Sequence, residues 1–163
     1  MANNHTQQGN APQRPVISTQ RKEMMMAILI QNPAAFRTVR EELKPEHFGG
    51  FEIYYSVLWK VVLDFYDSHD ELPDKSLLVA AVEEITDGDV EVLNDEEYNR
   101  LSEFIDYAYA PDSFKHPVET YKHYADWAVK ICKNFLEERL AVEVQALVQD
   151  TTDHVPMNLP EAL

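Results

Sequence analysis

The chain has 163 residues, with 29 acidic and 14 basic side chains, a formal net charge of −15, 45% hydrophobic residues and four glycines. This length suits one domain, or one domain with an arm, and the apolar fraction is ordinary for a globular protein. So few glycines leave little material for tight hairpins or phosphate-binding loops, and we therefore expect an all-α fold. Because a strongly acidic surface repels phosphate groups and anionic lipids, we expect no direct binding of nucleic acid and no membrane binding.

The cysteine content and the hydrophobic runs predict a cytoplasmic protein. Cys132 is the only cysteine, so no internal disulfide can form, and a single thiol fits a reducing compartment. The longest apolar run covers seven residues, Met24 to Ile30, whereas a membrane span needs about 20. The first residues have no apolar core, so we do not expect them to act as a secretory signal.

The first two thirds of the chain are predicted to form a tail and a helical globule. Residues 1–17 are polar and aperiodic, which is typical of a disordered tail. Residues 18–112 have apolar side chains at spacings of three and four, the pattern of about five helices in a compact globule. We predict these helices over about 18–31, 33–43, 51–68, 77–85 and 94–109.

Capping residues support the predicted helix starts. Ser18 or Thr19 can cap the first helix, whose apolar run MMMAILI predicts a position at the centre of the core. Asn32 followed by Pro33 is typical of a second start. Asn94, with a glutamate three residues later, resembles a capping box for the fifth helix.

The last third of the chain predicts a long helix. No glycine or proline occurs from Val118 to Val155, and a helix over 117–149 would be about 50 Å long. We predict that residues 113–150 form one long helix or a helical hairpin for self-association, with Lys133–Asn134 or Gln145 as possible bends. The alternative is a core helix of a compact bundle. Residues 151–163 contain two prolines and are predicted to be a linker.

Two apolar stripes on this helix suggest which side chains meet a second subunit. One stripe consists of Tyr121, Ala125, Ala128, Cys132 and Phe135, and a second, rotated by about a quarter turn, of Val129, Leu136, Leu140, Val144 and Leu147. A helix this long extends past a small globule, so its apolar second half needs a partner. Trp127 lies off the main stripe, where it is either an interface residue or a residue at the edge of the core. We predict a self-association surface made of Trp127, Ile131, Phe135, Leu136, Leu140, Val144 and Leu147.

Motifs for catalysis are absent from the sequence. It has no Walker phosphate-binding motif, no dinucleotide-binding glycine motif, no nucleophile elbow and no HExxH zinc motif. His116, Glu119 and His123 have a spacing that can ligate a metal on a helix, although capping and surface roles suit them better. We therefore expect no catalytic residues, no metal site and no cofactor in this chain, with a helical metal-binding enzyme as the least favoured alternative.

The order of motifs resembles the amino-terminal domain of replicative DNA helicases of the DnaB type. The resemblance covers about residues 20–150. It begins in RKEMMMAILIQNPAAFRTVREELKPEHF, and its matching residues there are Ile28, Leu29, Asn32, Pro33, Phe36, Leu43, Pro45, Glu46 and Phe48. The aromatic-rich segment YYSVLWKVVLDFY and the pair Pro73-Asp74, with Leu77, follow in the same order. Tyr124-Ala125 and Arg139-Leu140 stand where the family has its helical hairpin.

This resemblance implies a non-catalytic module of the replication machinery. In the family, amino-terminal domains pair through their hairpins, three pairs form a collar, and primase and the helicase loader bind the assembly. It thus implies a homo-oligomer, a dimer or a trimer of dimers, with ATP and magnesium confined to a motor domain beyond this chain.

Two features depart from the family pattern. Residues 86–97 are longer and more acidic than in the family pattern, which suggests a phage- or plasmid-like member. No ATPase motif precedes Leu163, so an alternative is a stand-alone helical adaptor or inhibitor that acts on a replication protein.

Overall fold

The structure, a computed structural model, describes residues 17–86, 92–110 and 118–162. Six α-helices and no strands lie within these ranges, which confirms the predicted all-α fold. The helices are α1 (Thr19–Leu29), α2 (Pro33–Val39), α3 (Ile53–His69), α4 (Lys75–Thr86), α5 (Asp95–Ala108) and α6 (Val118–Ala162). Two short 3₁₀ turns, Pro45–His47 and Gly50–Glu52, connect α2 to α3.

The predicted capping residues begin three of the helices. The Ser18 hydroxyl accepts a hydrogen bond from the Arg21 N–H at 3.2 Å, at the start of α1. The Asn32 side chain accepts one from the Ala35 N–H at 3.1 Å, and proline occupies the first position of α2. Asn94 and Glu97 exchange two such bonds, of 2.7 and 3.0 Å, at the start of α5. These bonds satisfy backbone donors that the first turn of a helix leaves free.

The centre of the core is α1, as its apolar run predicts. The residues from Met25 to Ile30 are almost fully buried, and α1 contacts α2, α5 and α6. On the other side, α3 packs against α4 and α5. Trp59 of α3 is buried and donates its indole N–H to the carbonyl oxygen of Leu43 at 2.8 Å. This bond fixes the loop after α2 against α3.

The end of α2 and the start of α3 differ from the predicted boundaries for local reasons. Helix α2 ends at Val39 rather than near Leu43, because the N–H groups of Glu42 and Leu43 both bond to the Val39 carbonyl and tighten the chain into a turn. Helix α3 begins at Ile53 because a 3₁₀ turn precedes it, and that turn begins at Gly50 with a φ of 58°.

Ile17 is not part of a disordered tail. Its side chain is buried, and its N–H donates a hydrogen bond of 3.0 Å to the carboxylate of Glu138 in α6. An apolar side chain next to the core gains more from burial than a polar tail does, which explains the difference. The rest of the predicted tail, 1–16, lies outside the described residues, as do 87–91 of the acidic segment.

The last helix is a single helix, so the long-helix alternative describes it and the hairpin does not. The helix continues through 133–134 and 145 without a break, and neither place has a proline or glycine. The helix continues to Ala162, whereas the sequence predicts a linker over 151–163. Two prolines, at 156 and 160, lie within it, and each removes one backbone donor without ending the helix.

Candidate self-association surface

Helix α6 covers the globule with only its first half. Ala128, Ile131, Cys132 and Phe135 are buried against α1 and α2. The Phe135 ring stacks on Phe48, with centroids 5.2 Å apart.

The buried half of α6 ends in polar contacts with Lys22 of α1 and with Ile17. The ammonium group of Lys22 lies 5.7 Å from the Phe135 ring centroid and also pairs with Glu52. One helical turn beyond Phe135, the Glu138 carboxylate accepts the hydrogen bond from Ile17. These contacts mark where α6 leaves the globule.

The part of α6 that follows carries exposed apolar side chains. We call residues 140–150 the C-terminal segment; Ala141 is half-buried and every other residue in it is exposed. Of the seven large hydrophobic side chains that are exposed in the described chain, five lie in this segment: Leu140, Val142, Val144, Leu147 and Val148. Such a concentration in one short segment is unusual for a protein surface that faces only water.

Four of these five side chains lie on one face of the helix. Leu140, Val144, Leu147 and Val148 follow at spacings of four, three and one, which places them within about a third of a turn at about 100° per residue. We call these four residues the apolar stripe. A shallow groove of about 580 Å³ runs beside it, lined by Glu137, Leu140, Ala141, Val144 and Gln145. Val142 lies on the opposite side of the helix.

The structure divides the seven predicted interface residues into three groups. Ile131 and Phe135 belong to the protein's own core, with exposures of 4% and 1%, so they are removed from the surface. Both residues lie in the part of α6 that packs on α1 and α2, so the globule buries them. Trp127 and Leu136 are half-buried against the core. Leu140, Val144 and Leu147 are exposed and form most of the apolar stripe.

Val148 completes the apolar stripe, although the surface predicted from the sequence does not include it. The signal that identifies it is its spacing of four from Val144, which puts both valines on one face.

The charges around the stripe are mostly negative. Residues 137–150 contain four carboxylates, at Glu137, Glu138, Glu143 and Asp150, and one cation, Arg139. An acidic border of this kind opposes pairing with an acidic partner at low ionic strength, while the apolar stripe favours burial.

The metal-ligating set of the alternative hypothesis lies mostly outside the described side chains. His116 lies outside them, the side chain of Glu119 is not described, and His123 is exposed. No group of three histidine, cysteine or acidic side chains able to hold a metal ion occurs in the part of the chain that the structure describes. In the same part, no helix combines the length and the apolar content needed to cross a bilayer.

The buried ionisable groups behave as structural residues. Burial raises the pKa of the Cys132 thiol to about 12, with a smaller contribution from the Glu42 carboxylate, so this cysteine stays neutral and packs as a small hydrophobic residue. Burial likewise raises the pKa of the Tyr55 and Tyr109 hydroxyls.

Comparison of the chain with models of protein families, with curated proteins and with solved structures yields no match in any of the three.

Proposed function

We propose that this chain is a non-catalytic oligomerisation and partner-docking domain of a replicative DNA helicase of the DnaB type. The order of sequence motifs supports the family, and the motif residues have structural roles that suit an all-α module. Asn32 and Pro33 begin α2, while Phe36 and Phe48 are buried in the core. Primase and the helicase loader are the partners that the resemblance implies.

The observation that carries the oligomerisation proposal is the apolar stripe. Burying one large aliphatic side chain stabilises a complex by about 1.5–3 kcal/mol, so four such side chains in water represent a substantial driving force for association. An isolated helical segment of this length is only marginally stable in water. A partner that covers the stripe therefore stabilises both the interface and the helix.

We infer that the first partner is a second copy of the same chain. A two-fold axis brings the same surface of two copies together, and a continuous aliphatic stripe is complementary to itself in this arrangement. The half-buried Leu136 lies one turn before Leu140 on the same face and extends the surface towards the globule. A specific interface buries roughly 1,200–2,000 Å² in total, and the longer surface contributes to this area.

The remaining activities of a helicase belong to other parts of such a protein. The net charge of −15 opposes contact with the phosphate backbone. ATP and magnesium would act in a motor domain, and this domain would assemble subunits and present a surface for primase and the loader.

Two valine substitutions on opposite sides of the same helix test this proposal. Val144 and Val142 are each 50% exposed, but only Val144 lies in the apolar stripe. We expect Val144→Asp to weaken the dimer at least about tenfold, because it places an unpaired charge in the interface. Val142→Asp adds the same charge nearby and should change the dissociation constant by less than about threefold. Sedimentation velocity over a concentration series measures both.

Equal weakening by the two substitutions would refute pairing through the stripe. Circular dichroism of each variant checks that α6 stays helical.

The docking part of the proposal is tested by binding of the oligomer to primase from the same replicon, measured on an immobilised chain. No binding to the wild-type protein would contradict it.

A further inference from the structure

A second surface lies between α4 and α5, on elements separate from the apolar stripe. Both helices pack against α3, and a cleft of about 170 Å³ remains between them. One end is held by an ion pair of 3.1 Å between Lys75 and Asp106, and by a hydrogen bond of 3.4 Å from the Tyr109 hydroxyl to the Pro73 carbonyl. The cleft is lined by Val79, Val82, Glu83, Tyr98, Ser102, Ile105 and Asp106.

The lining combines an apolar floor with a polar rim. Val82 and Ile105 are almost fully buried, and Val79 is half-buried beside them. The carboxylate of Glu83 is at the rim, and the half-buried Tyr98 contributes an aromatic ring. Drug-sized ligands occupy pockets of about 300–1,000 Å³, so this cleft suits a single long side chain better than a nucleotide or a cofactor.

The charge around the cleft selects the kind of side chain. Residues 74–86 and 92–110 contain eight carboxylates and two cations, Lys75 and Arg100. Both cations are already in ion pairs: Lys75 pairs with Asp106 at 3.1 Å, and Arg100 pairs with Glu96 at 3.8 Å. Among the described residues, no ion pair includes Glu83. A cationic group entering the cleft would therefore meet a carboxylate without displacing an existing partner.

We propose that this cleft binds an arginine side chain from a basic segment of a partner protein. The methylene groups of arginine would cover the floor formed by Val82 and Ile105. Its planar guanidinium can pair with both oxygens of Glu83 and stack on the ring of Tyr98. A lysine ammonium offers neither the two-point pairing nor the stacking, so the cleft favours arginine over lysine. The surrounding acidic side chains attract the whole basic segment.

An NMR titration with short blocked peptides tests this proposal. The probes are acetyl-Arg-Gly-Arg-Gly-Arg-amide and the same peptide with lysine in place of arginine, each added to isotopically labelled full chain. We expect the largest shifts at α4 and α5 residues that line the cleft, and at least about threefold tighter binding of the arginine peptide. The apolar stripe should show no shifts, so the result does not depend on the proposed oligomerisation.

Two variants of adjacent glutamates separate a site from general charge attraction. Glu83→Gln should weaken binding at least about fivefold, whereas Glu84→Gln, which removes the same charge one residue outside the lining, should weaken it less than about twofold. Val79→Phe fills the cleft without a change of charge and should also abolish the preference for arginine. Equal effects of the two glutamate variants, equal binding of the two peptides, or shifts centred elsewhere would each overturn the proposal.

Discussion

Phe135 and Leu140 lie five residues apart on α6 but have opposite surroundings. Phe135 is 1% exposed and stacks on Phe48, whereas Leu140 is 59% exposed. Both are apolar residues on the same helix, and the sequence pattern assigned both to one interface. The difference arises because the globule ends at the level of Glu138, which accepts the hydrogen bond from Ile17. Residue type alone therefore does not separate buried from exposed positions in α6.

Substitution of Phe135 tests its assignment to the core. We expect Phe135→Ala to lower the free energy of unfolding by about 3–5 kcal/mol, because it leaves a cavity beside Phe48 and Lys22. Urea unfolding at a low protein concentration, followed by circular dichroism, measures this change. Leu147→Ala is the matched control, and it should cost less than about 0.5 kcal/mol under the same conditions because its side chain faces water in the monomer. Similar losses for the two variants would show that Phe135 is not a core residue.

The buried thiol of Cys132 predicts a pH dependence of stability. Its folded-state pKa of about 12 lies above the unfolded value of 9.0, so its contribution is fully present below pH 9 and is lost as the pH rises towards 12. Between pH 8 and pH 10 the wild-type chain should lose about 1 kcal/mol more of its unfolding free energy than Cys132→Ala, in which this group is missing. Urea titrations at the two pH values provide the comparison. A loss that is identical in the two proteins would contradict the burial of the thiol.

At the scale of elements, local signals predicted more than long-range ones. The starts of α1, α2 and α5 follow from Ser18, Asn32 and Asn94, whose side chains cap the next turn. The bond from the Trp59 indole to the Leu43 carbonyl, sixteen residues away, is a long-range contact that no local signal predicts. For the same reason, periodicity located the stripe on α6 but not the point at which the globule stops covering the helix.

The continuity of α6 gives a measurable distance. In a single helix, spin labels at residues 130 and 149 should be about 28 Å apart, at about 1.5 Å per residue. A hairpin bent near 134 or 145 would bring the two positions much closer, to less than about 20 Å. Pulsed electron paramagnetic resonance distinguishes the two arrangements. The labelled protein carries Lys130→Cys and Gln149→Cys in a Cys132→Ala background, and it is diluted with unlabelled chain. A short distance would contradict the continuous helix.

For the whole molecule, charge and hydrophobic association oppose each other. The net charge of −15 is distributed over a small protein, so two copies repel at low ionic strength. In the proposed dimer, the attraction between the apolar stripes would act over a much shorter range, because hydrophobic burial acts only at contact. Added salt screens the repulsion and leaves the apolar contact intact. Association through the stripe should therefore strengthen with salt, unlike association driven by opposite charges.

Sedimentation equilibrium of the wild-type chain in 0.5 M salt, over about 1 to 500 μM protein, tests the central claim most directly. We predict a weight-average mass that rises with concentration from the monomer value of 18.8 kDa towards twice that value. A mass that stays at 18.8 kDa over the whole range would contradict the proposal that the apolar stripe of α6 pairs two copies of this chain.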